Sequence, residues 1–126
     1  MKRFFTLVFL FIAISSFNRL AGIDEVVTAL KTGNAGKVAS FFDNTVEISI
    51  DDKSNSYSKS QAEMVLKDFF TNNTVKDFTV IHKGENEGSQ YCIGNLSTRT
   101  GNYRTTLYMK KKNDNQVLQE IRFEKN

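Results

Sequence analysis

The second half of the chain is the part that most constrains the fold. From Val75 onward, apolar and polar residues alternate through four segments: Val75–Lys83, Ser89–Thr98, Asn102–Lys112 and Gln116–Glu124. A period of two is typical of β-strands that bury one face. Short polar stretches separate the segments, and the chain contains no proline to interrupt them. The sequence therefore predicts four strands joined in order by short turns, an antiparallel meander.

Helical periodicity dominates the part of the chain that precedes the meander. Apolar spacing predicts helices over residues 23–30, 35–42 and 62–70, with Asn34 capping the second and a capping box at Ser60–Glu63 opening the third. Asp43-Asn44 ends the second helix in this prediction. Alternation over residues 46–50 then predicts a half-buried strand, and Tyr57 a second short one.

The predicted element order is α-α-β-β-α-β-β-β-β. Three helices on one side of a long antiparallel sheet make an α+β fold. A chain of 126 residues has room for one such domain.

The first 22 residues have the pattern of a secretory signal peptide. A cationic start, Met1–Arg3, precedes the apolar run Phe4–Ile14, which at 11 residues is short for a membrane span. A buried N-terminal helix and an uncleaved anchor are the alternatives. Cleavage fits after Ser15 or after Gly22, and the later site is preferred, which leaves a single domain over 23–126. We expect an exported protein, periplasmic or secreted, and no lipoprotein, since no cysteine lies near the leader's end.

The net charge of +3 comes entirely from this leader. Three of the 17 Lys and Arg residues lie within it, so residues 23–126 carry 14 basic and 14 acidic side chains. A neutral domain argues against a nucleic-acid partner. One Cys, Cys92, and one His, His82, exclude an internal disulfide and make a zinc site of several ligands very improbable. Neither a metal nor a cofactor is expected, and Cys92 is interpreted as a buried strand residue.

Pairing residue 98 with 103 and residue 112 with 116 assigns the two faces of the sheet. The inner face then carries Cys92, Gly94, Leu96, Thr105, Leu107, Met109, Val117, Ile121 and Phe123. The outer face is mixed, with Arg104 opposite Glu124. Four outer residues form a candidate homodimer face: Tyr91, Ile93, Tyr108 and Leu118. A solvated sheet face is the alternative.

Several motifs resemble those of a known superfamily. The run Ala29–Asn34, followed by Phe41-Phe42 and Asp43–Glu47, resembles nuclear transport factor 2-like domains, which include ketosteroid isomerases and polyketide cyclases. Three further stretches resemble the exported bacterial family called domain of unknown function 4783: His82–Gly84, Tyr91–Gly94 and Gly101–Arg104. The resemblance implies a cone-shaped, cystatin-like fold with a curved sheet around helices, often with a pocket at its wide end and often dimeric.

The resemblance also permits a test for isomerase chemistry. It places the catalytic carboxylate of ketosteroid isomerases at Ile48 and the oxyanion-stabilising tyrosine near Val26. Isoleucine accepts no proton and valine donates no hydrogen bond, so this chemistry is disfavoured.

The resulting hypothesis is a non-catalytic module of the bacterial cell envelope that binds a small apolar or amphipathic ligand or another protein. Five residues form the candidate pocket at the open end of the cone: Tyr57, His82, Tyr91, Tyr103 and Arg104. In the predicted register Tyr103 is on the inner face and Tyr91 and Arg104 on the outer one. The alternatives are a cyclase-like or hydrolytic enzyme with His82 as its base, and a structural homodimer through the outer sheet face.

Overall fold

The computed structural model describes residues 22–126, so the predicted signal peptide lies outside the described residues except for Gly22. The helices are α1 (Ile23–Lys31), α2 (Ala35–Ala39) and α3 (Lys59–Asn72). The strands are β1 (Phe42–Ile50), β2 (Lys53–Ser58), β3 (Val75–Asn86), β4 (Ser89–Thr98), β5 (Gly101–Lys112) and β6 (Asn115–Lys125). This order confirms the predicted α-α-β-β-α-β-β-β-β sequence. Within 22–126, no helix is long and apolar enough to cross a membrane.

All six strands form one curved sheet in the order β2-β1-β6-β5-β4-β3. The meander from β3 to β6 is confirmed, because each strand pairs antiparallel with the next. The prediction of a wholly antiparallel sheet is wrong at one place, since β1 pairs with β6 in parallel. The two strands are distant in sequence and α3 lies between them, so no turn signal announces this pairing.

Local sequence explains how the helices begin and end. Gly33 has φ 68 after α1, a conformation that glycine adopts without strain. Asn34 accepts a hydrogen bond from the backbone nitrogen of Lys37, as predicted for the cap of α2. The capping box of α3 pairs Ser58 with Gln61, two residues before the predicted box. Both positions satisfy the Ser-x-x-Glu/Gln pattern, and the exit from β2 selects the earlier one.

Three predicted boundaries shift because strand pairing extends into polar residues. Strand β1 already starts at Phe42, so Asp43-Asn44 lies inside a strand instead of ending a helix. Strand β2 begins at Lys53, well before Tyr57, so only Asp51-Asp52 separates it from β1, with Asp51 at φ 56. Strand β3 runs to Asn86, which leaves a two-residue turn before β4.

The helices cover the inner face of the sheet, where aromatic rings fill the interior. The rings of Phe69 and Phe123 stack with centroids 4.4 Å apart, and Tyr103 meets Phe69 edge-on at 5.2 Å. Phe78 lies over Gly94, where an added Cβ would sit 2.4 Å from the ring's Cζ atom. The space between the helices and the sheet is therefore a packed core at these rings.

The observed register corrects one residue of each predicted face. Thr98 pairs with Gly101, two residues from the predicted partner, and an even shift leaves the faces unchanged. Between β5 and β6 a bulge at Gln119 shifts the pairing by one residue, so Met109 pairs with Leu118. Leu118 is therefore fully buried on the inner face, and Val117, predicted inside, is half-exposed.

Candidate functional site

A groove opens between the β1–β2 hairpin and helix α3, with a volume of about 480 Å³. Its apolar floor is formed by Ile48, Ile50, Tyr57 and Val65. Four polar residues surround this floor: Asp51, Asp52, Lys53 and Asn55. We call this feature the hairpin groove. An apolar floor with a few polar groups at its rim is the usual composition of a small-molecule site.

Strand pairing explains why these side chains converge. In the hairpin, Ile48 lies opposite Asn55 and Ile50 opposite Lys53, and alternate residues of a strand share a face. Helix α3 buries Leu66, Phe69 and Phe70 in the core and leaves Val65 half-buried beside the hairpin. The groove therefore follows from the packing of α3 beside the β1–β2 hairpin.

Charges are confined to the rim of the hairpin groove. Asp51, Asp52 and Lys53 are all exposed, and Asp51 Oδ1 accepts a hydrogen bond of 3.0 Å from the backbone nitrogen of Lys125. The floor carries no carboxylate, imidazole or amine, and Ile48 is buried there. Such a floor supplies apolar contact, whereas general acid–base catalysis needs a proton donor or acceptor in contact with the substrate.

The five predicted pocket residues occupy three separate places, so one shared pocket is not formed. Tyr57 lies in the hairpin groove. Tyr103 is buried in the core, where its hydroxyl donates to Asn73 Oδ1 at 3.4 Å. His82, Tyr91 and Arg104 lie on the outer face of the sheet. The physical reason is strand alternation, which turns neighbouring residues Tyr103 and Arg104 to opposite faces.

His82 and Tyr91 form a hydrogen-bonded pair on the outer face, with His82 Nε2 and the Tyr91 hydroxyl 2.9 Å apart. The Tyr91 ring reaches His82 across Gly84, where a Cβ atom would lie only 2.3 Å from the ring's Cε1. The absence of a side chain at Gly84 therefore permits the contact. The enzyme alternative requires His82 to act as a base inside the cone. The structure corrects this, since His82 is exposed on the outer face of the sheet, away from the helices.

Three members of the predicted dimer face do share a surface. Tyr91 pairs directly with Tyr108, Ile93 lies beside them, and Ser89 Oγ is 3.1 Å from the Tyr108 hydroxyl. Leu118 is excluded because the Gln119 bulge turns it inward. We call Tyr91, Ile93 and Tyr108 the outer aromatic patch.

Sequence reasoning missed Ile81 next to this patch. Ile81 is 63% exposed and sits at a register shift of β3. Two adjacent β-branched residues, Val80 and Ile81, break the alternation of this strand, which is the signal that could have indicated a bulge.

Charged side chains flank the outer aromatic patch. Arg122 and Glu120 form an ion pair of 3.0 Å, whereas Arg104 and Glu124 are opposite in register, as predicted, without an ion pair within 4.0 Å in residues 22–126. Exposed pairs of this kind add little to stability. The surface therefore combines half-exposed aromatic residues with charges of both signs.

A family model described as "Domain of unknown function (DUF4783)" matches residues 23–124. The chain belongs to the DUF4783 family. A DUF4783 protein from Bacteroides uniformis ATCC 8492 is 32% identical, with a TM-score of 0.80 over 82% of this chain and 96% of that one. A second, from Bacteroides ovatus ATCC 8483, is 30% identical, with a TM-score of 0.79 over 81% of this chain and 93% of that one.

More distant similarities show the fold alone. An NTF2-like protein of unknown function from Cytophaga hutchinsonii ATCC 33406 shares 8% identity at a TM-score of 0.59, over 82% of this chain and 86% of that one. A domain of unknown function with a cystatin-like fold from Nostoc punctiforme PCC 73102 also shares 8% identity, at a TM-score of 0.64, over 82% of this chain and 72% of that one. Among proteins with curated descriptions, none matches the sequence. The expected nuclear transport factor 2-like, cystatin-like fold is thus confirmed.

In this DUF4783 protein, the two positions compared with ketosteroid isomerases are apolar and lie in separate parts of the domain. Ile48 is on the floor of the hairpin groove, and Val26 is fully buried in α1. Cys92 is buried, as predicted, and burial raises the pKa of its thiol to about 11. A thiol with such a pKa is an inert core group at neutral pH. Across residues 22–126, no cluster of three or more His, Cys, Asp or Glu side chains is arranged to hold a metal ion.

A second, smaller pocket of about 370 Å³ lies at the start of α1, lined by Ile23, Asp24, Lys83, Gly84, Glu85 and Gln90. Lys83 Nζ donates to Asp24 Oδ1 at 2.7 Å, and this hydrogen bond raises the pKa of Lys83. Gln90 is buried, and its Oε1 accepts from the backbone nitrogen of Ile23 at 3.2 Å. The Lys83–Asp24 and Ile23–Gln90 contacts at this pocket fix α1 to the sheet.

Proposed function

We propose that this DUF4783 protein is an exported, non-catalytic module of the cell envelope that binds a small apolar or amphipathic ligand in the hairpin groove. The observation that carries the proposal is the floor of Ile48, Ile50, Tyr57 and Val65 beneath a polar rim. Its volume of about 480 Å³ is within the range of small-molecule sites. Apolar surface that a ligand covers there contributes roughly 25 cal/mol per Å².

The composition of the groove also supports binding without chemistry. Ile48 stands where the resemblance would require a carboxylate base, and the aromatic packing of Phe69 on Phe123 leaves the cone interior filled. The hydrogen-bonded pair of His82 and Tyr91 is remote from the groove, on the other face of the sheet. The protein is therefore expected to bind and release its ligand without changing it chemically.

A tryptophan on β2 provides the test. Asn55 and Ser56 are adjacent and both exposed, but Asn55 lines the groove and Ser56 faces away from it. We expect Asn55→Trp to weaken binding of the neutral fluorescent probe N-phenyl-1-naphthylamine at least tenfold. The matched control, Ser56→Trp, should bind like the unmodified chain. Equal binding by all three proteins would refute the groove as the site.

Native mass spectrometry of the protein purified from its own host's envelope would then start to identify the ligand. A retained mass that disappears in Asn55→Trp and remains in Ser56→Trp supports the proposal. A bare chain that also fails to bind the fluorescent probe contradicts it.

The outer aromatic patch favours a second candidate, a homodimer formed through this face. Tyr91, Ile93 and Tyr108 are contiguous and half-exposed, and residues of both charge signs surround them, so two copies can pair opposite charges. Ile93→Arg should convert a dimer to a monomer in sedimentation-velocity experiments. The control Ser97→Arg, on the same face of β4 but four residues away, should leave the dimer intact. A monomeric unmodified chain at 100 µM, on the order of ordinary working concentrations, would exclude this candidate.

A further inference from the structure

Gly22 is an integral part of helix α1. Its carbonyl oxygen accepts hydrogen bonds from the backbone nitrogens of Glu25 at 3.0 Å and Val26 at 3.1 Å. The first turn of a helix has backbone N–H groups without partners of their own, and α1 has no side-chain cap. As the N-cap residue, Gly22 accepts the first regular hydrogen bond of the helix from Val26, and its carbonyl also satisfies the Glu25 nitrogen, which a capping side chain would otherwise do.

The conformation of Gly22 is also adapted to its place. Its φ is +133, in the region that favours glycine. An added Cβ would lie 2.8 Å from Gln90 Oε1 and 3.1 Å from Gln116 Cβ, so this backbone is fitted closely against β4 and β6. A residue held in this way belongs to the folded domain.

Cleavage after Gly22 would place a new charge at a buried position. Ile23 is 6% exposed, and its nitrogen is a neutral amide that donates to Gln90 Oε1. As a chain terminus it would become an ammonium group at the positive end of the helix dipole, without the Gly22 carbonyl. Of the two carboxylates in the adjacent pocket, that of Asp24 is paired with Lys83 at 2.7 Å, and that of Glu85 is exposed.

We infer that the signal peptide is cleaved after Ser15, so that the mature protein begins at Ser16 and retains Gly22. The inference rests on the proposed export, and it revises the preference for the later site. Ala13 and Ser15 place small residues at the third and first positions before this cut, directly after the apolar run. The cut after Gly22 would have Leu20 at the third position instead. The hydrolysis breaks the Ser15–Ser16 peptide bond with one water molecule.

The test is N-terminal sequencing and intact mass of the full-length chain expressed in its own host and recovered from the envelope. A start at Ser16 is expected. A start at Ile23 would overturn the inference while leaving export intact. A start between residues 17 and 22 would keep Gly22 in the mature chain but overturn the assignment to Ser15. A chain that still begins at Met1, in any compartment, would refute both the export and the cleavage.

Two substitutions outside residues 22–126 make the test specific. Ser15→Tyr puts a bulky residue directly before the inferred cut and should increase the unprocessed fraction at least tenfold. Leu20→Tyr puts the same residue at the third position before the alternative cut and should change nothing. The reverse pattern would show that cleavage follows Gly22. Both substitutions lie outside residues 22–126, so neither replaces a residue of the described domain.

Discussion

The two faces of the β3–β6 meander are built from the same strands but behave differently. On the inner face, Leu96, Leu107 and Phe123 are fully buried beneath the helices. On the outer face, Tyr91 and Tyr108 are half-exposed strand partners, and their hydroxyls contact His82 Nε2 and Ser89 Oγ respectively. A side chain with dense packing on all sides has no room to adjust, whereas one at a surface can rotate. The inner face therefore determines stability, and the outer face remains available for association.

The bulge at Gln119 decides which residues of β6 belong to each face. It turns Leu118 inward against Met109 and leaves Val117 half-exposed. The two faces are therefore exchanged locally, over the few residues that precede the bulge.

Truncation on the two sides of this bulge should give the largest effect. Leu118→Ala removes a fully buried side chain and is expected to lower the free energy of unfolding by about 3 kcal/mol. Val117→Ala removes a half-exposed one and should lower it by about 1 kcal/mol or less. Urea denaturation measures both. Equal losses, or a larger loss for Val117, would restore the register that the sequence alone suggests.

Replacing a glycine by alanine should lower the stability of the protein more on the inner face of the sheet than on the outer one. At Gly94 a Cβ would meet Phe78 Cζ at 2.4 Å and the carbonyl oxygen of Thr79 at 2.7 Å, neither of which can move freely. Gly94→Ala is therefore expected to destabilise the protein by about 2 kcal/mol.

Gly84→Ala is the matched substitution on the outer face. It meets only the Tyr91 ring, which can swing away, so the loss should stay below about 1 kcal/mol while the His82 contact breaks. Thermal unfolding, together with the NMR shifts of the His82 ring, reports both effects. An unchanged His82 spectrum would contradict this prediction.

The smallest expected effect on stability concerns Asp43 of β1, which contacts the bulge residue Gln119 of β6. Asp43 accepts hydrogen bonds from Gln119 Nε2 and Lys112 Nζ, each at 2.9 Å. The hydrogen bond from Gln119 is the largest cause, and that from Lys112 the next, of a pKa of Asp43 that lies below its ordinary value of 3.8. A lowered pKa means that this stabilisation is present above pH 3.8 and is lost as the pH falls through the folded-state pKa.

Asp43→Asn should therefore lower the free energy of unfolding by about 1 kcal/mol at pH 7, and the difference from the unmodified chain should shrink below pH 3.8. The control Asp52→Asn, at an exposed turn, should match the unmodified chain throughout. Urea denaturation at several pH values measures the difference. A constant difference across the whole pH range would mean that the carboxylate of Asp43 is not its cause.

Much of the fold could be predicted because its signals are local. Periods of 3.6 and 2, the Asn34 cap and the short turns lie within a few residues of one another, and each predicted element appears in the structure. The candidate site was harder to predict from the sequence. Tyr57 was found, but its neighbours Ile48 and Val65 come from other elements, and no local pattern connects them. Tyr91 was correctly assigned to the outer face, whereas the predicted pocket that included both His82 and Tyr91 is not formed at the open end of the cone.

The sequence by itself determined the order of the elements, the meander and which residues of β4 face inward, because each depends on spacing along one strand or across one short turn. Only the tertiary structure decided the parallel pairing of β1 with β6, the inward turn of Leu118 and the meeting of the β1–β2 hairpin with α3. These features join segments far apart in the chain. Their outcome depends on which pairing fills the interior best, and no short sequence pattern encodes that competition.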